Sequence, residues 1–109
     1  MGNIIRGDGT TTFQMRNSPY NSTYIWCNPY LWYPEVLSYK LGREDLLIES
    51  PFILEWSGNW RGLRNFVVVD HALVLNRKYE RALVYLETEG LLVKYRESVE
   101  TIIRKEMYC

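Results

Sequence analysis

Side chains suited to acid–base, nucleophilic or metal chemistry are sparse in this sequence. One histidine, His71, follows Asp70, and the two cysteines, Cys27 and Cys109, have no metal-ligand spacing around them. A nucleophilic triad or a metal cluster needs more partners at suitable spacing. We therefore expect no enzymatic activity, no metal and no cofactor, with His71 a structural residue and Cys27 a small buried hydrophobe.

Aromatic residues are the most abundant binding groups, and most of them lie between Tyr20 and Tyr39. Exposed rings can stack on nucleic-acid bases or serve as hot spots for a protein partner. Large aromatic residues also dominate the burial of small cores, so this stretch has a structural interpretation as well. The candidate interaction surface consists of Trp26, Tyr30, Trp32 and Tyr33.

Basic residues form a second candidate group. The whole chain has 13 Lys plus Arg and 13 Asp plus Glu, so any surface that attracts a polyanion must be local. Between positions 61 and 81 the chain has Arg61, Arg64, Arg77, Lys78 and Arg81 against Asp70 and Glu80. These cations form a small basic patch or a solvated helix face.

The length of 109 residues predicts one domain, 1–109, with one core. No apolar run is long enough to span a bilayer and the start lacks a secretory stretch, so we expect an intracellular (cytoplasmic) protein that does not contact membranes. We divide the domain into 1–19, 20–65 and 66–109. The first part, rich in glycine and threonine, is expected to be a loop or an edge hairpin that turns at Gly7-Asp8-Gly9.

The middle part, 20–65, predicts short elements. Pro34 suits the first turn of a helix over about 34–41, which resumes at about 44–48 and stops before Pro51. Phe52 to Trp56 and Trp60 to Arg64 flank turn residues typical of a hairpin, although Asn59 could instead cap a helix that begins at Trp60.

The strongest periodic signal lies between Asn76 and Gly90. The apolar positions follow helical spacing of i, i+3, i+4 and i+7, and comprise Tyr79, Ala82, Leu83 and Leu86. Asn76 can cap the first turn, and Gly90 can adopt the left-handed conformation that ends a helix. The sequence therefore predicts an amphipathic helix over 76–90.

Two β-branched segments follow this helix, at 91–96 and 99–104, separated by Glu97 and Ser98. They predict a hairpin. A terminal helix is the alternative, because Val99, Ile102 and Ile103 also fit helical spacing with Ser98 as its cap.

The run from Arg81-Ala82-Leu83 to Leu86-Glu87-Thr88-Glu89-Gly90-Leu91-Leu92, followed by a hairpin, resembles the end of winged helix-turn-helix domains. In that family such a sequence closes the recognition helix and begins the wing. The resemblance covers about residues 66–105 and implies an α+β fold, a small winged-helix-like domain with a C-terminal recognition helix and a β-hairpin wing. It also implies a preceding helix over 66–73.

The resemblance further implies DNA contacts by the first turns of the helix, which enter the major groove in such domains. Asn76 and Arg77 would read base edges, and Lys78 and Arg81 would meet phosphates. Arg61 and Arg64 would extend this surface, while the wing would contribute Lys94, Arg96 and Arg104.

Two functions therefore compete. The first is a small transcriptional regulator that binds double-stranded DNA, expected to act as a homodimer because one module of this size buries limited DNA surface. The alternative is a protein-interaction module that uses the aromatic 20–39 region.

Overall fold

The computed structural model describes residues 9–63, 65–74 and 77–93. Short 3-10 turns occupy Pro51–Leu54 and Arg77–Tyr79. In chain order, the α-helices and strands of the described residues are α1 (Thr10–Asn17), β1 (Thr23–Ile25), α2 (Trp32–Lys40), β2 (Leu47–Glu49), α3 (Ser57–Trp60), β3 (Val67–Val69), α4 (Glu80–Thr88) and β4 (Leu92–Val93).

The four strands form one sheet in the order β2-β1-β3-β4, and every neighbouring pair is parallel. Strand β1 is central, since Tyr24 lies opposite Ile48 on one side and opposite Val68 on the other. All three residues of β1 are buried, as expected for a strand that other parts of the chain cover on both faces.

Successive strand residues point to opposite faces, and each face of the sheet has its own core. One core contains Ile25 and Val67 together with the α4 residues Ala82, Leu83 and Leu86. The other core contains Tyr24 and Val68, packed with Met15 from α1 and Leu37 from α2. The expectation of a domain that combines helices with a sheet is confirmed, and here helices cover both faces of a parallel sheet.

The loop or edge hairpin predicted for residues 1–19 is wrong for Thr10–Asn17, which form α1. Threonine-rich segments favour strands locally, but tertiary contacts decide this one. Thr11, Gln14 and Met15 lie at helical spacing and are buried. The Gln14 side chain donates to Val69 O (3.1 Å) and accepts from the backbone nitrogen of His71 (2.8 Å). Residues 1–8 lie outside the described residues.

The helix predicted for 34–41 is confirmed as α2, which begins two residues earlier, at Trp32. Gly42 follows it with φ +71°, a conformation that glycine adopts without strain. The continuation predicted for 44–48 is wrong, because Leu47–Glu49 form β2 instead. In β2 the backbone groups of these residues pair with β1, whereas a helix as short as 44–48 would be only marginally stable on its own.

The hairpin predicted from Phe52 to Arg64 is also wrong. Ser50 caps a 3-10 turn at Pro51–Leu54, and α3 follows at Ser57–Trp60. These short turns place Leu54 and Trp60 in the same core as Ile25. Asn59 lies inside α3, so it does not cap a helix that begins at Trp60.

The helix expected over 66–73 is replaced by β3 and a turn. Three consecutive valines favour a strand, because β-branched side chains pack well on a pleated surface. Val67 and Val68 are fully buried on opposite faces of the sheet, a position that a helix could not give to adjacent residues.

The amphipathic helix predicted over 76–90 is confirmed for the described residues as a 3-10 turn that continues into α4. All four residues of its apolar stripe are buried, and Gly90 has φ +74°. The strand predicted after it is present at Leu92–Val93, parallel to β3. The hairpin partner or terminal helix predicted for 99–104 lies outside the described residues.

Arg43 connects three segments on the face of the sheet that α1 and α2 cover. Its guanidinium donates to Asp45 through Nε (2.9 Å) and Nη2 (2.8 Å), and to the backbone oxygens of Met15 (2.6 Å) and Pro19 (3.3 Å). Asp45 also accepts from the backbone nitrogen of Asn21 (2.7 Å). The hydrogen bonds from Arg43, with smaller help from Asn21, outweigh burial and hold the pKa of Asp45 well below its ordinary value.

We predict that Asp45→Asn lowers the free energy of unfolding at pH 7 by about 1–2 kcal/mol, since it removes hydrogen bonds to a charged acceptor. The folded-state pKa is depressed, so the wild-type contribution is present above the unfolded value of about 3.9 and is lost as pH falls through the folded pKa. Urea unfolding at pH 7, 4 and 3 measures it. The variant should therefore lose less stability than wild type below pH 4.

Glu44→Gln is the matched control, because Glu44 is the exposed neighbour of Asp45. Its pH dependence should stay close to that of wild type. Equal acid sensitivity of Asp45→Asn and wild type would show that the Arg43 contacts do not stabilise the fold through this carboxylate.

Candidate binding site at the carboxyl edge of the sheet

The strand order creates one position where connections leave the sheet in opposite directions. The chain passes from β1 to β2 on one side, and from β3 to β4 on the other, while β1 and β3 are neighbours. In open parallel sheets, ligands bind outside the carboxyl ends of the strands at such a switch point. The segments that emerge there are 26–31, after β1, and 70–74, after β3.

A cleft of about 260 Å³ lies in the segment that follows β1. Its lining is Trp26, Asn28, Tyr30, Trp32 and Tyr33. The four aromatic residues predicted to form an interaction surface are therefore brought together. Asn28 joins them, although its residue type did not single it out.

The cleft has a fixed inner wall and an open outer wall. Trp26 is only 2% exposed, and its ring lies 5.8 Å from that of the half-buried Tyr33. Tyr30 and Trp32 are 80% and 74% exposed. Trp26 is therefore a core residue that also forms the floor of the cleft, while Tyr30 and Trp32 offer their rings to solvent.

Local turn chemistry sets the position of the outer wall. The Asn28 side-chain oxygen accepts from the backbone nitrogen of Tyr30 (2.9 Å), a turn typical of asparagine. The chain then enters α2, where Glu35 N donates to Leu31 O (3.1 Å). Pro34 lies in the first turn, where its missing N–H has no helical partner to lose. An Asn-Pro pair after a strand is the sequence signal for this loop.

A buried polar network lies at the same edge, at the end of β3. Asp70 is 1% exposed and accepts hydrogen bonds from Tyr24 Oη (2.6 Å), Thr11 Oγ1 (3.0 Å) and the backbone nitrogen of Ala72 (3.0 Å). Three donors compensate the burial of one carboxylate. This network joins α1, β1 and the turn after β3, and only the adjacent Asp70 and His71 could have indicated it from the sequence.

His71 takes part in the network through its Nε2, which lies 3.1 Å from Thr11 Oγ1. A nucleophilic triad needs the imidazole between the hydroxyl and the carboxylate. Here the buried Thr11 hydroxyl lies between His71 and Asp70, and its proton points to Asp70. This order of groups differs from that of a triad, and the geometry fits a structural role for His71.

The residues predicted to contact DNA divide into two groups. Arg61, Arg77, Lys78 and Arg81 are exposed. Arg61 Cζ lies 5.6 Å from the centre of the Trp60 ring, and Lys78 Nζ lies 3.8 Å from Glu55 Oε2. The second group, Arg64, Asn76, Lys94, Arg96 and Arg104, lies outside the described residues.

In the described part of the chain, no group of three or more His, Cys, Asp or Glu side chains could hold a metal ion. None of the helices described is long and apolar enough to cross a membrane. In comparisons with known proteins, no family model, no curated protein and no solved structure matches this chain.

We predict that the two tryptophans of the cleft differ sharply in their contribution to stability. Trp26→Ala should lower the free energy of unfolding by about 3–5 kcal/mol because it opens a cavity in the core. Trp32→Ala should change it by no more than about 0.5 kcal/mol. Urea unfolding measures both, with Trp26→Phe as a milder variant if Trp26→Ala does not fold. Equal losses would contradict the division into inner and outer walls.

Proposed function

We propose that this protein is a non-enzymatic binding module that takes up a side chain of a protein partner in the aromatic cleft beside β1. The observation that carries the proposal is the cleft itself, where two exposed rings stand over a buried floor. Tryptophan and tyrosine are the residues most enriched among interface hot spots. Their position at the switch point of a parallel sheet agrees with where such sheets bind ligands.

The surroundings of the cleft favour a partner that makes apolar contacts. Further large exposed side chains follow the neighbouring strands at the same edge, namely Phe52 and Trp56 after β2 and Val74 after β3. Neighbouring exposed apolar side chains around a cleft are typical of an interaction surface. The residues that line the cleft carry no formal charge, so binding there does not depend on a net charge of the cleft.

We predict that some members of an array of unmodified and lysine-methylated peptides bind the full chain through the cleft. Tyr30→Ala and Trp32→Ala should each weaken this binding by about 2 kcal/mol, the loss typical of a hot spot. Tyr20→Ala and Phe13→Ala are matched controls, because these side chains are 83% and 57% exposed and lie outside the lining. If no peptide depends on Tyr30 or Trp32, the proposal is wrong.

Binding to double-stranded DNA is the second candidate, supported by the exposed basic side of α4 and its 3-10 turn. The apolar stripe of this helix is buried, whereas Arg77, Lys78 and Arg81 are exposed. The backbone of Arg61 lies next to α4, because the Tyr85 hydroxyl, one turn after Arg81, donates to Arg61 O (3.4 Å). The winged-helix resemblance and the homodimer that would bind two half-sites stay predictions.

We predict that, if this candidate holds, affinity for duplex DNA falls with salt and the triple variant Arg77→Ala, Lys78→Ala, Arg81→Ala reduces the log–log slope by roughly 3. Arg16→Ala with Lys40→Ala is the control, since both residues are exposed and belong to the helices of the other face. Fluorescence anisotropy from 50 to 200 mM salt measures the slope. Absence of binding at 50 mM salt would remove this candidate.

A further inference from the structure

The volume of the aromatic cleft limits its occupant. At about 260 Å³, the cleft is slightly smaller than the roughly 300–1,000 Å³ typical of pockets that enclose a drug-sized ligand. It therefore has room for one side chain with part of its stem, and it cannot enclose a large cofactor.

Aromatic rings in the lining favour a negative electrostatic potential in the cleft, although no lining residue carries a formal charge. Two tryptophans and two tyrosines contribute rings whose faces are negative, and a tryptophan face attracts a cation most strongly. The lining has no lysine or arginine that would pair with an anion. Glu35 lies in the first turn of α2, three residues after Trp32, and is exposed. Residues three apart share one side of a helix, so Glu35 and Trp32 lie on the same side of α2.

The hydrogen-bonding capacity of the lining selects among cations. The side-chain oxygen of Asn28 already accepts from the backbone nitrogen of Tyr30. An unmodified lysine ammonium has three donors and is strongly hydrated, so replacing its water by ring faces costs it more than it costs a methylated ammonium. A trimethylated ammonium has no N–H donor and needs only the ring faces, the arrangement by which aromatic cages bind quaternary ammonium groups.

We propose that the cleft is a recognition site for a methylated lysine side chain on a protein partner. This inference rests on the proposed binding function and specifies its ligand. Tyr30 and Trp32 close over the methyl groups, Trp26 and Tyr33 form the floor, and Glu35 adds a negative charge at the rim.

The test uses the full chain and follows the backbone and indole N–H signals by NMR during titrations. The probes are tetramethylammonium, choline with its uncharged isostere 3,3-dimethylbutan-1-ol, and a short peptide with and without a trimethyllysine. We expect the indole signals of Trp26 and Trp32 to shift with tetramethylammonium. The trimethyllysine peptide should bind at least about fivefold more tightly than the unmodified peptide and Trp32→Ala should remove that preference, whereas Tyr20→Ala should keep it.

Other outcomes overturn the inference in distinguishable ways. If the neutral isostere binds as well as choline, the cleft recognises shape alone. If peptides bind in a Trp32-dependent manner regardless of methylation, the proposed binding function survives and the cation assignment fails. If neither peptides nor probes bind at the cleft, both fail. Binding to phosphatidylcholine vesicles without binding to the trimethyllysine peptide would assign the site to a lipid headgroup and overturn the protein partner.

Discussion

Parallel pairing on both sides of β1 is the constraint on which the rest of the structure depends. Only three residues, Thr23–Ile25, carry it, and their backbone must find partners on β2 and β3 at once. Tyr24 and Ile25 then point to opposite cores, so α1 and α2 have to cover one face while α4 covers the other. Asp70 is buried directly after β3 and stabilises this arrangement, because it accepts hydrogen bonds from Tyr24 of β1 and Thr11 of α1.

Both candidate functions depend on this arrangement. The pairing of β1 places the 26–31 segment at the carboxyl edge, where Trp26 stays in the core as the floor of the cleft and Tyr30 and Trp32 remain in solvent. The same parallel sheet sets α4 with its apolar stripe inward, which leaves Arg77, Lys78 and Arg81 outward. The cleft combines a preorganised floor with an accessible wall, and therefore supports a specific ligand more strongly than the dispersed basic residues support DNA.

The sequence predicted those elements whose signal is long and local. Helix α4 has four stripe residues and a terminal glycine, and α2 has its proline and glycine boundaries. Three-residue strands such as β1 and β2 carry too little periodicity, and their pairing partners lie more than twenty residues away. α1 depends on Gln14 and Thr11 reaching Val69, His71 and Asp70. In the site, residue type identified the four aromatic residues, whereas Asn28 and the burial of Trp26 follow from the fold.

NOEs and hydrogen exchange at the central strand of the full chain test the parallel pairing of β1 most directly. We expect parallel-sheet NOEs that connect Tyr24 with both Ile48 and Val68. The amides of Trp26 and Asp70 should exchange slowly, because they donate to Glu49 O (2.9 Å) and Ile25 O (3.0 Å). Helical NOEs from i to i+3 through residues 66–73, with rapid exchange at Trp26, would contradict this pairing.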